Sequence, residues 1–267
     1  AKLSDFYSDL NNIKININFS LQKPSTDTIA VDLENNPFRE NNGSILFRPG
    51  GHGALLENLN DLKGDVVFIK NIDNVVHESF IETTILYKKA IAGYLLYLRD
   101  FILENLQIKV PDGFKSWPAV AKSEFLNRRL NRPMRICGMV KNEGEPGGGP
   151  FWVKDRRGEV TLQIVESSQV DMNNQSQVDI FKNASHFNPV DIVCSLVDYK
   201  GNPFNLRKFV DNNTGFISVK SKDGKSLKAM ELPGLWNGAM SEWITVFVEV
   251  PIITFNPVKT INDLLRP

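Results

Sequence analysis

The spacing of hydrophobic residues predicts helices and strands along the first half of the chain. Residues 1–6 are amphipathic and predict a short helix, whereas strict apolar–polar alternation over 13–19 predicts a strand. The continuous apolar run at 66–69 is typical of a strand that is buried on both faces. Apolar residues recur at helical spacing over 78–106 and predict one long helix or two.

From residue 134 onward, short apolar runs separated by turn residues predict mainly strands. Two hairpins are expected because a glycine-containing turn joins each pair of runs, 151–154 with 160–165 and 216–220 with 227–230. The other predicted elements are strands at 135–140, 192–197 and 244–250, a short helix at 235–243, and a terminal helix at 260–265 with Thr260 as its N-cap. Together these elements indicate an α/β fold with a mixed sheet, flanking helices and an antiparallel C-terminal elaboration. We expect one domain over 1–267, with residues 78–132 as a helical insertion.

The composition excludes several classes of partner and of site. The 267 residues carry 31 basic and 31 acidic side chains, so a net charge of zero gives no electrostatic reason to expect nucleic acid or an anionic membrane as partner. No apolar run approaches the about 20 residues of a spanning helix, so we expect no membrane segment. The two cysteines, Cys137 and Cys194, are too few for a disulfide framework or a four-ligand zinc site. No signal peptide opens the chain, and the cytoplasm is therefore the expected location.

A glycine-rich loop that contains a histidine is the first candidate site. Gly51, His52 and Gly53 directly precede residues 54–59, which have good helix propensity. Glycines at a helix N-terminus let a ligand approach bare backbone N–H groups at the positive end of the helix dipole. A histidine between glycines is also expected to have little side-chain packing around it. The alternative is a tight turn that feeds a helix, and the sequence leaves both interpretations open.

A polar segment directly after the apolar run at 66–69 is the second candidate, and it contains Asn71, Asp73 and Asn74. Ligands of open α/β sheets gather at the carboxyl ends of strands, and carboxylates there commonly hold a metal. The alternative is a β-turn closed by side-chain-to-backbone hydrogen bonds. The density of polar residues after so apolar a run favours a site.

Three further places combine glycines or charges with predicted strand and helix ends. The glycine-rich segment 141–150 lacks the G-K-[ST] ending of a phosphate-binding P-loop, and its glycines either lay backbone against a sugar or carboxylate or form a flexible hairpin crossing. Glu166 and Asp191 lie next to buried-looking strands, where a carboxylate either hydrogen-bonds a ligand or caps a turn. Lys259 directly precedes the terminal helix, where it either presents a cation to phosphate or remains solvated.

Taken in order, six segments resemble the UDP-glucose/UDP-sugar pyrophosphorylase family. More closely still, the chain resembles an uncharacterised bacterial family, a domain of unknown function, that is related to it and covers essentially the whole sequence. The matching segments are Gln22 after an early strand, Pro49-Gly50-Gly51-His52-Gly53, Asn71-Ile72-Asp73-Asn74-Val75, Val165-Glu166, Phe187-Asn188-Pro189-Val190-Asp191, and Pro257-Val258-Lys259-Thr260-Ile261-Asn262-Asp263-Leu264-Leu265. The last of these segments is the most specific.

This resemblance implies a glycosyltransferase-A-like fold and nucleotidyl transfer, in which a sugar 1-phosphate attacks a nucleoside triphosphate to give a nucleotide sugar and pyrophosphate. It implies Mg²⁺ as cofactor, and a nucleoside triphosphate and a sugar phosphate as partners. The roles that it implies are nucleotide binding for Gln22, Gly51, His52 and Gly53; sugar binding for Asn71, Gly148, Glu166 and Asp191; metal binding for Asp73; and catalysis for Asp73, Lys259 and His52.

Two departures from the family pattern change what is expected. Nothing here matches the glycine-rich loop that cradles the triphosphate, so we expect a nucleotidyltransferase-like domain without its first βα unit. We therefore expect the chain to be the C-terminal part of a longer protein and to be weak or inactive alone. Asp191, Glu143 and Glu145 make the expected sugar pocket more acidic than the family's, which leaves the sugar open. The alternative functions are a non-catalytic nucleotide- or sugar-binding module and a glycosyltransferase that uses a ready-made nucleotide sugar.

Overall fold

A computed structural model describes residues 2–107, 118–144, 147–155 and 158–265. Its helices are α1 (Lys2–Asn11), α2 (Leu56–Asp61), α3 (Ile81–Gln107), α4 (Ala119–Leu130) and α5 (Gln175–Lys182). Its strands are β1 (Thr28–Val31), β2 (Phe47–Arg48), β3 (Val67–Lys70), β4 (Met134–Lys141), β5 (Gly149–Lys154), β6 (Val160–Val165), β7 (His186–Ser195), β8 (Phe216–Lys222), β9 (Lys225–Glu231) and β10 (Ile244–Glu249). The α/β class expected from the sequence is confirmed.

The central sheet has four strands in the order β10, β4, β7 and β3. Strand β10 runs parallel to β4, whereas β7 runs antiparallel to both of its neighbours, β4 and β3. The sheet is therefore mixed, as predicted. Because β3, β4 and β10 run in one direction, all three end at the same edge of the sheet, which we call the rim.

Alternating side chains place two hydrophobic clusters on opposite faces of the central sheet. On one face, Ile136 of β4 and Val193 of β7 pack against Ile91 and Leu95, which are one helical turn apart on α3. The other face forms the larger cluster, which includes Leu56 and Leu59 of α2, Cys137, Met139, Ile164, Ile192, Cys194 and Trp243. The long helix expected over 78–106 thus covers one face of the sheet, and the turns and short helices cover the other.

Both predicted hairpins are present, as β5 with β6 and β8 with β9. The second hairpin turns at Asp223 and Gly224, whose φ angles are 51° and 76°, and two consecutive left-handed residues are typical of a type I′ hairpin turn. Strands β8 and β9 continue through β1 to β2 as a separate antiparallel sheet. Its inner face is covered by a small cluster that includes Ala30, Leu46 and Leu227.

Some of the predicted strands differ from those in the structure. The strand expected at 13–19 is wrong, because these residues have no strand neighbour in the described structure and Phe19 is 95% exposed. The apolar side chains of residues 13–19 therefore have no sheet face to pack against. Strand β3 exists, but burial on both faces is wrong: it pairs with β7 at the edge of the sheet, and Phe68 is half exposed. The strand expected at 192–197 begins earlier, at His186.

The two short helices predicted late in the chain are single 3₁₀ turns, Gly238–Met240 and Ile261–Leu265. The second follows the N-cap position predicted from the sequence, but the carboxylate of Asp263 is the group that reaches back. It accepts the backbone N–H groups of Lys259 at 2.9 Å and Thr260 at 2.7 Å. Hydrogen bonds to the Asp263 carboxylate therefore fix the backbone at Lys259.

Candidate functional site

The rim brings the aspartate turn and the near-terminal lysine into contact. Asn71 and Asp73 follow β3, Lys259 follows β10, and the ammonium group of Lys259 donates to Asp73 Oδ2. The backbone N–H of Val258 also donates to the Asp73 carbonyl, at 2.7 Å. These two segments lie 186 positions apart in sequence. The ion pair is thus held by backbone pairing as well as by charge.

Two buried asparagines lie at the same rim, and each leaves an amide group unused. Asn74 is 3% exposed, and its Oδ1 accepts the backbone N–H of Asn256 at 2.9 Å. Asn188 is equally buried, and its Oδ1 accepts the N–H of Val190 at 2.6 Å. In the described part of the chain, neither Nδ2 has a hydrogen-bond partner. Buried donors are nearly always satisfied in folded proteins, so both groups are candidates to donate to a ligand or to water.

The segment around Asn188 is a strained bulge in β7. The register between β4 and β7 shifts between Gly138 and Val140, where Asn188, Pro189 and Val190 are inserted. Val190 has a φ angle of 54°, which a β-branched residue rarely adopts. Backbone strain of this kind clusters at functional sites, where the surrounding structure holds it in place.

A second group of predicted residues assembles around Trp236, which was not predicted. The His52 ring stacks on the Trp236 indole with ring centroids 4.2 Å apart, and the indole N–H donates to Glu166 Oε1 at 2.9 Å. The backbone N–H of Leu235 donates to His52 Nδ1 at 3.1 Å. This bond fixes the neutral tautomer that carries its proton on Nε2. The expectation that His52 has little packing around it is therefore wrong.

The charge state of His52 follows from its surroundings. Burial lowers the pKa of His52, and this effect outweighs the opposing effect of the negative charges of Glu166 and Glu231. The imidazole is therefore neutral near pH 7. It offers a ligand one N–H donor on Nε2 and no positive charge.

Packing accounts for the glycines on both sides of His52. Gly51 has a φ angle of 74°, in the left-handed region that favours glycine. A Cβ atom added to Gly53 would lie 2.1 Å from the carbonyl oxygen of Pro233. The loop then continues through a 3₁₀ turn, His52–Leu55, into α2. The tight-turn interpretation explains these residues without a ligand.

We expect Gly53→Ala to destabilise the protein by about 1–3 kcal/mol, because the added methyl group collides with backbone rather than with a flexible side chain. The matched control is Gly93→Ala in the interior of α3, where nothing lies within 4 Å of the added Cβ. That change should stabilise the protein by up to about 1 kcal/mol through higher helix propensity. Urea unfolding of both variants measures the difference. An unchanged midpoint for Gly53→Ala would show that the loop does not need its close approach to Pro233.

The predicted sugar-binding residues lie in three separate places. Gly148 lies against Glu166, since an added Cβ would be 3.1 Å from Glu166 Cγ, and the Gly148 carbonyl accepts the backbone N–H of Asn188 at 2.8 Å. A pocket of about 270 Å³ adjoins them, lined by residues that include Gly147, Gly148, Gly149, Ser167 and His186. Glycines there let a ligand reach the backbone closely. Asn71 instead lies exposed in the turn that contains Asp73.

Asp191 does not join Gly148 and Glu166. It is 4% exposed, and it accepts a hydrogen bond from the ammonium group of Lys88 on α3. Its neighbour Ile192 belongs to the opposite cluster, which also contains Ile164 and Trp236. Because alternate residues of a strand face opposite sides, Asp191 is directed toward α3. The structure therefore gives Asp191 a lysine partner, and sugar binding by Asp191 stays a prediction.

Of the remaining predicted residues, the structure describes Gln22 and Glu143. Gln22 donates to Asp27 Oδ1 at 3.2 Å, and the preceding carbonyl of Leu21 accepts the side-chain amide of Asn58 at 2.8 Å. Asn58 belongs to α2, so Gln22 is held next to the helix that follows the His52 turn. Glu143 is exposed after β4, whereas Glu145, the other acid expected at the sugar pocket, lies outside the described residues.

Sequence reasoning missed Trp236 and Asn188. Trp236 lies in the segment Pro233-Gly234-Leu235-Trp236-Asn237-Gly238, and a large aromatic residue between two glycines is the signal that points to it. Asn188 lies inside one of the matched segments, but no role was given to it. Both residues are recognised by contacts to chain segments that are distant in sequence.

The residues at the rim do not form a preformed metal site. Within the described ranges, no group of three or more His, Cys, Asp or Glu side chains is placed to hold a metal ion. Asp73, the expected Mg²⁺ ligand, is engaged by Lys259. Magnesium sites often use one or two carboxylates together with substrate phosphates, so one carboxylate alone does not make a site. The magnesium cofactor stays a prediction.

Comparisons with solved structures reveal the fold. UDP-glucose phosphorylase from Trypanosoma brucei is similar with a TM-score of 0.50 and 18% identity, over 99% of this chain and 49% of that one. UDP-glucose pyrophosphorylase from Leishmania major is similar with a TM-score of 0.47 and 16% identity, over 99% of this chain and 51% of that one. A Leishmania major variant in complex with UDP-glucose has a TM-score of 0.47 and 14% identity, over 98% and 50%. The chain thus spans about half the length of these proteins.

No curated protein matches the chain at a significant level. Among the described helices, none combines the length and the apolar character that crossing a bilayer requires. One family model matches residues 1–103 and 97–267, which together extend over the whole chain. The protein therefore belongs to the family of the domain of unknown function DUF4301, and it has an α/β fold similar to that of UDP-glucose phosphorylase from Trypanosoma brucei.

Proposed function

We propose that the rim binds a nucleotide sugar and its precursors, and that the whole protein transfers a nucleotidyl group from a nucleoside triphosphate to a sugar 1-phosphate. The observation that carries the proposal is the contact between Asp73, which follows the carboxyl end of β3, and Lys259, in the segment that follows β10. Open α/β sheets bind ligands at this edge, and the exposed ammonium group of Lys259 is a cation of the kind that binds phosphate.

In the proposed reaction, an oxygen of the sugar 1-phosphate forms a bond to the α-phosphorus of the nucleoside triphosphate. The bond from that phosphorus to the pyrophosphate oxygen breaks, and pyrophosphate leaves with the electron pair. Such a step needs positioning and positive charge more than a covalent nucleophile. Lys259 supplies charge from a backbone that Asp263 fixes, and Asp73 holds its ammonium group in place.

The second group of residues is suited to the sugar. Glu166 accepts hydrogen bonds from hydroxyl groups, and the indole N–H of Trp236 fixes its orientation. Gly148 lets the sugar approach the backbone, and the unused amide of Asn188 is a nearby donor. We propose that His52, as a neutral imidazole, donates one hydrogen bond from Nε2 to the nucleotide.

Fold similarity guides the choice of the first substrate to test. The Trypanosoma brucei protein is named a UDP-glucose phosphorylase, so uridine triphosphate is the first nucleotide and glucose 1-phosphate the first sugar. Since the chain spans about half of that protein, the proposal concerns the whole protein in which this domain occurs.

Pyrophosphate release tests the proposal directly. The protein is incubated with a nucleoside triphosphate, Mg²⁺ and a panel of sugar 1-phosphates, and a parallel series contains a chelator in place of Mg²⁺. We expect pyrophosphate to form with one nucleotide and one sugar phosphate, and to disappear in the chelator series. No pyrophosphate with any of the four common nucleotides would contradict nucleotidyl transfer.

A non-catalytic binding module is the second candidate, and it is favoured because no group of three or more His, Cys, Asp or Glu side chains among the described residues is placed to hold a metal ion. Titration calorimetry with UDP-glucose separates the two functions, since a binding module retains affinity without releasing pyrophosphate. A glycosyltransferase would need Asp73 as a metal ligand, and the ion pair between Asp73 and Lys259 does not favour it.

A further inference from the structure

We infer that Lys70 and Lys88 form a second phosphate-binding pair at the rim, in which Asp191 holds Lys88. The occupant is a phosphoryl or pyrophosphoryl group. This inference rests on the proposed function, because it assigns a further subsite to the same edge of the sheet. Asp191, expected from the resemblance to bind sugar hydroxyls, is in this proposal the anchor of Lys88.

The register of the sheet brings the three side chains together. Lys70 of β3 is directly opposite Asp191 of β7 in the antiparallel ladder. Side chains directly opposite each other lie on the same face, with Cβ atoms about 5 Å apart. Lys88 reaches the same carboxylate from α3, which covers that face. Three elements distant in sequence therefore meet at one point.

The charges at this point do not balance. Asp191 is buried and is paired with Lys88, whose side chain is 23% exposed. Lys70 remains exposed, and no acidic side chain in the described structure is within ion-pair distance of it. Partial loss of water around its ammonium group lowers the pKa of Lys70 and the positive charge of Lys88 lowers it further, while the negative charge of Asp191 opposes both effects. The carboxylate of Asp191 thus pairs with Lys88, and the charge of Lys70 beside them has no acidic partner in the described structure.

The position of Lys70 relative to the rim indicates an anionic ligand. Lys70 is the last residue of β3 and lies three positions before Asp73, which pairs with Lys259. Lys88 and Lys259 each pair with an aspartate, Asp191 and Asp73, whereas Lys70 has no carboxylate within ion-pair distance in the described structure. Lysine acts as a point charge toward phosphate, so the unpaired ammonium group of Lys70 favours a phosphoryl group.

Titration calorimetry with inorganic pyrophosphate tests the inference on the full chain. The variant is Lys70→Gln, which removes the free cation and leaves the buried Lys88–Asp191 pair intact. The matched control is Lys89→Gln, an exposed lysine next to Lys88 on α3. We expect Lys70→Gln to weaken pyrophosphate binding about tenfold, because a hydrogen bond to a charged group contributes at least that factor. Lys89→Gln should bind like the unmodified protein.

Lys88→Arg is the second variant, since arginine keeps the charge and the contact to Asp191 but changes the geometry toward phosphate. We expect it to fold normally, as judged by its thermal unfolding, and to bind pyrophosphate with changed affinity.

Equal affinity for the unmodified protein and Lys70→Gln would overturn the phosphate pair while leaving the proposed function intact. If pyrophosphate does not bind but UDP-glucose does, the pair is likewise overturned. If neither binds, the proposed function fails as well.

Discussion

Replacing Arg135 by alanine is expected to destabilise the protein by about 3–5 kcal/mol, a larger loss than the one expected for Gly53→Ala. Arg135 is fully buried on β4. Its Nε donates to Thr245 Oγ1 at 2.9 Å, and its Nη1 donates to the carbonyl of Trp236 at 2.6 Å. Alanine leaves both acceptors without their donor and leaves a cavity between the central sheet and the turn that carries Trp236.

The size of the effect depends on the guanidinium charge. Burial lowers the pKa of Arg135, and no carboxylate in the described structure pairs with it. Its Nη2 has no hydrogen-bond partner there. The group thus carries a desolvation cost that its hydrogen bonds only partly offset. Arg135→Met removes that cost and keeps most of the volume, so it should be less destabilising than Arg135→Ala by at least about 1 kcal/mol.

Urea unfolding of Arg135→Ala, Arg135→Met and the unmodified protein measures this order. Alanine and methionine variants with equal, small losses would mean that the contact to the Trp236 carbonyl contributes little. In that case another contact would fix the Trp236 turn relative to the sheet. Intrinsic tryptophan fluorescence offers a local measurement, since Trp236 stacks on His52 and donates to Glu166.

Local patterns predicted most of the strands, because hairpins are specified by short-range information. The turn at Asp223 and Gly224 and the apolar runs beside it lie within a few residues of one another. The alternation at 13–19 has the same local signature and forms no strand in the structure. Whether a strand forms there depends on a neighbouring strand, and a period of two carries no information about neighbours.

The candidate site shows the same division between local and long-range information. Asp73 and Lys259 were each expected from local context and a resemblance, and the fold places them in contact. The face to which Asp191 is directed depends on where β7 bulges, and the bulge at Asn188 and Val190 is not visible in the periodicity. Trp236 joins His52 to Glu166 through contacts between segments that are far apart in sequence. Such contacts require the tertiary structure.

Replacing Lys259 by methionine is expected to lower kcat/KM for nucleotidyl transfer by about 100-fold or more, since removal of one charge-stabilising donor from a transition state typically has that effect. Stability should change by less than about 1 kcal/mol, because the lysine side chain is 70% exposed and exposed ion pairs contribute little. Pyrophosphate release measures the first effect and urea unfolding the second. Lys225→Met, an exposed lysine at the turn of the β8–β9 hairpin, is the matched control and should change neither.

A loss of stability that accompanies the loss of activity would identify Lys259 as a purely structural lysine. If Lys259→Met lost stability and activity in parallel, the contact with Asp73 would serve to join the two segments of the rim. Lys259→Arg then separates charge from geometry: it retains the positive charge and the pairing with Asp73, so a catalytic role predicts partial activity from it. Asp73→Asn should have a smaller effect than Lys259→Met, because it leaves the ammonium group present but less firmly positioned. An Asp73→Asn variant with the greater loss would instead place the chemistry on the carboxylate.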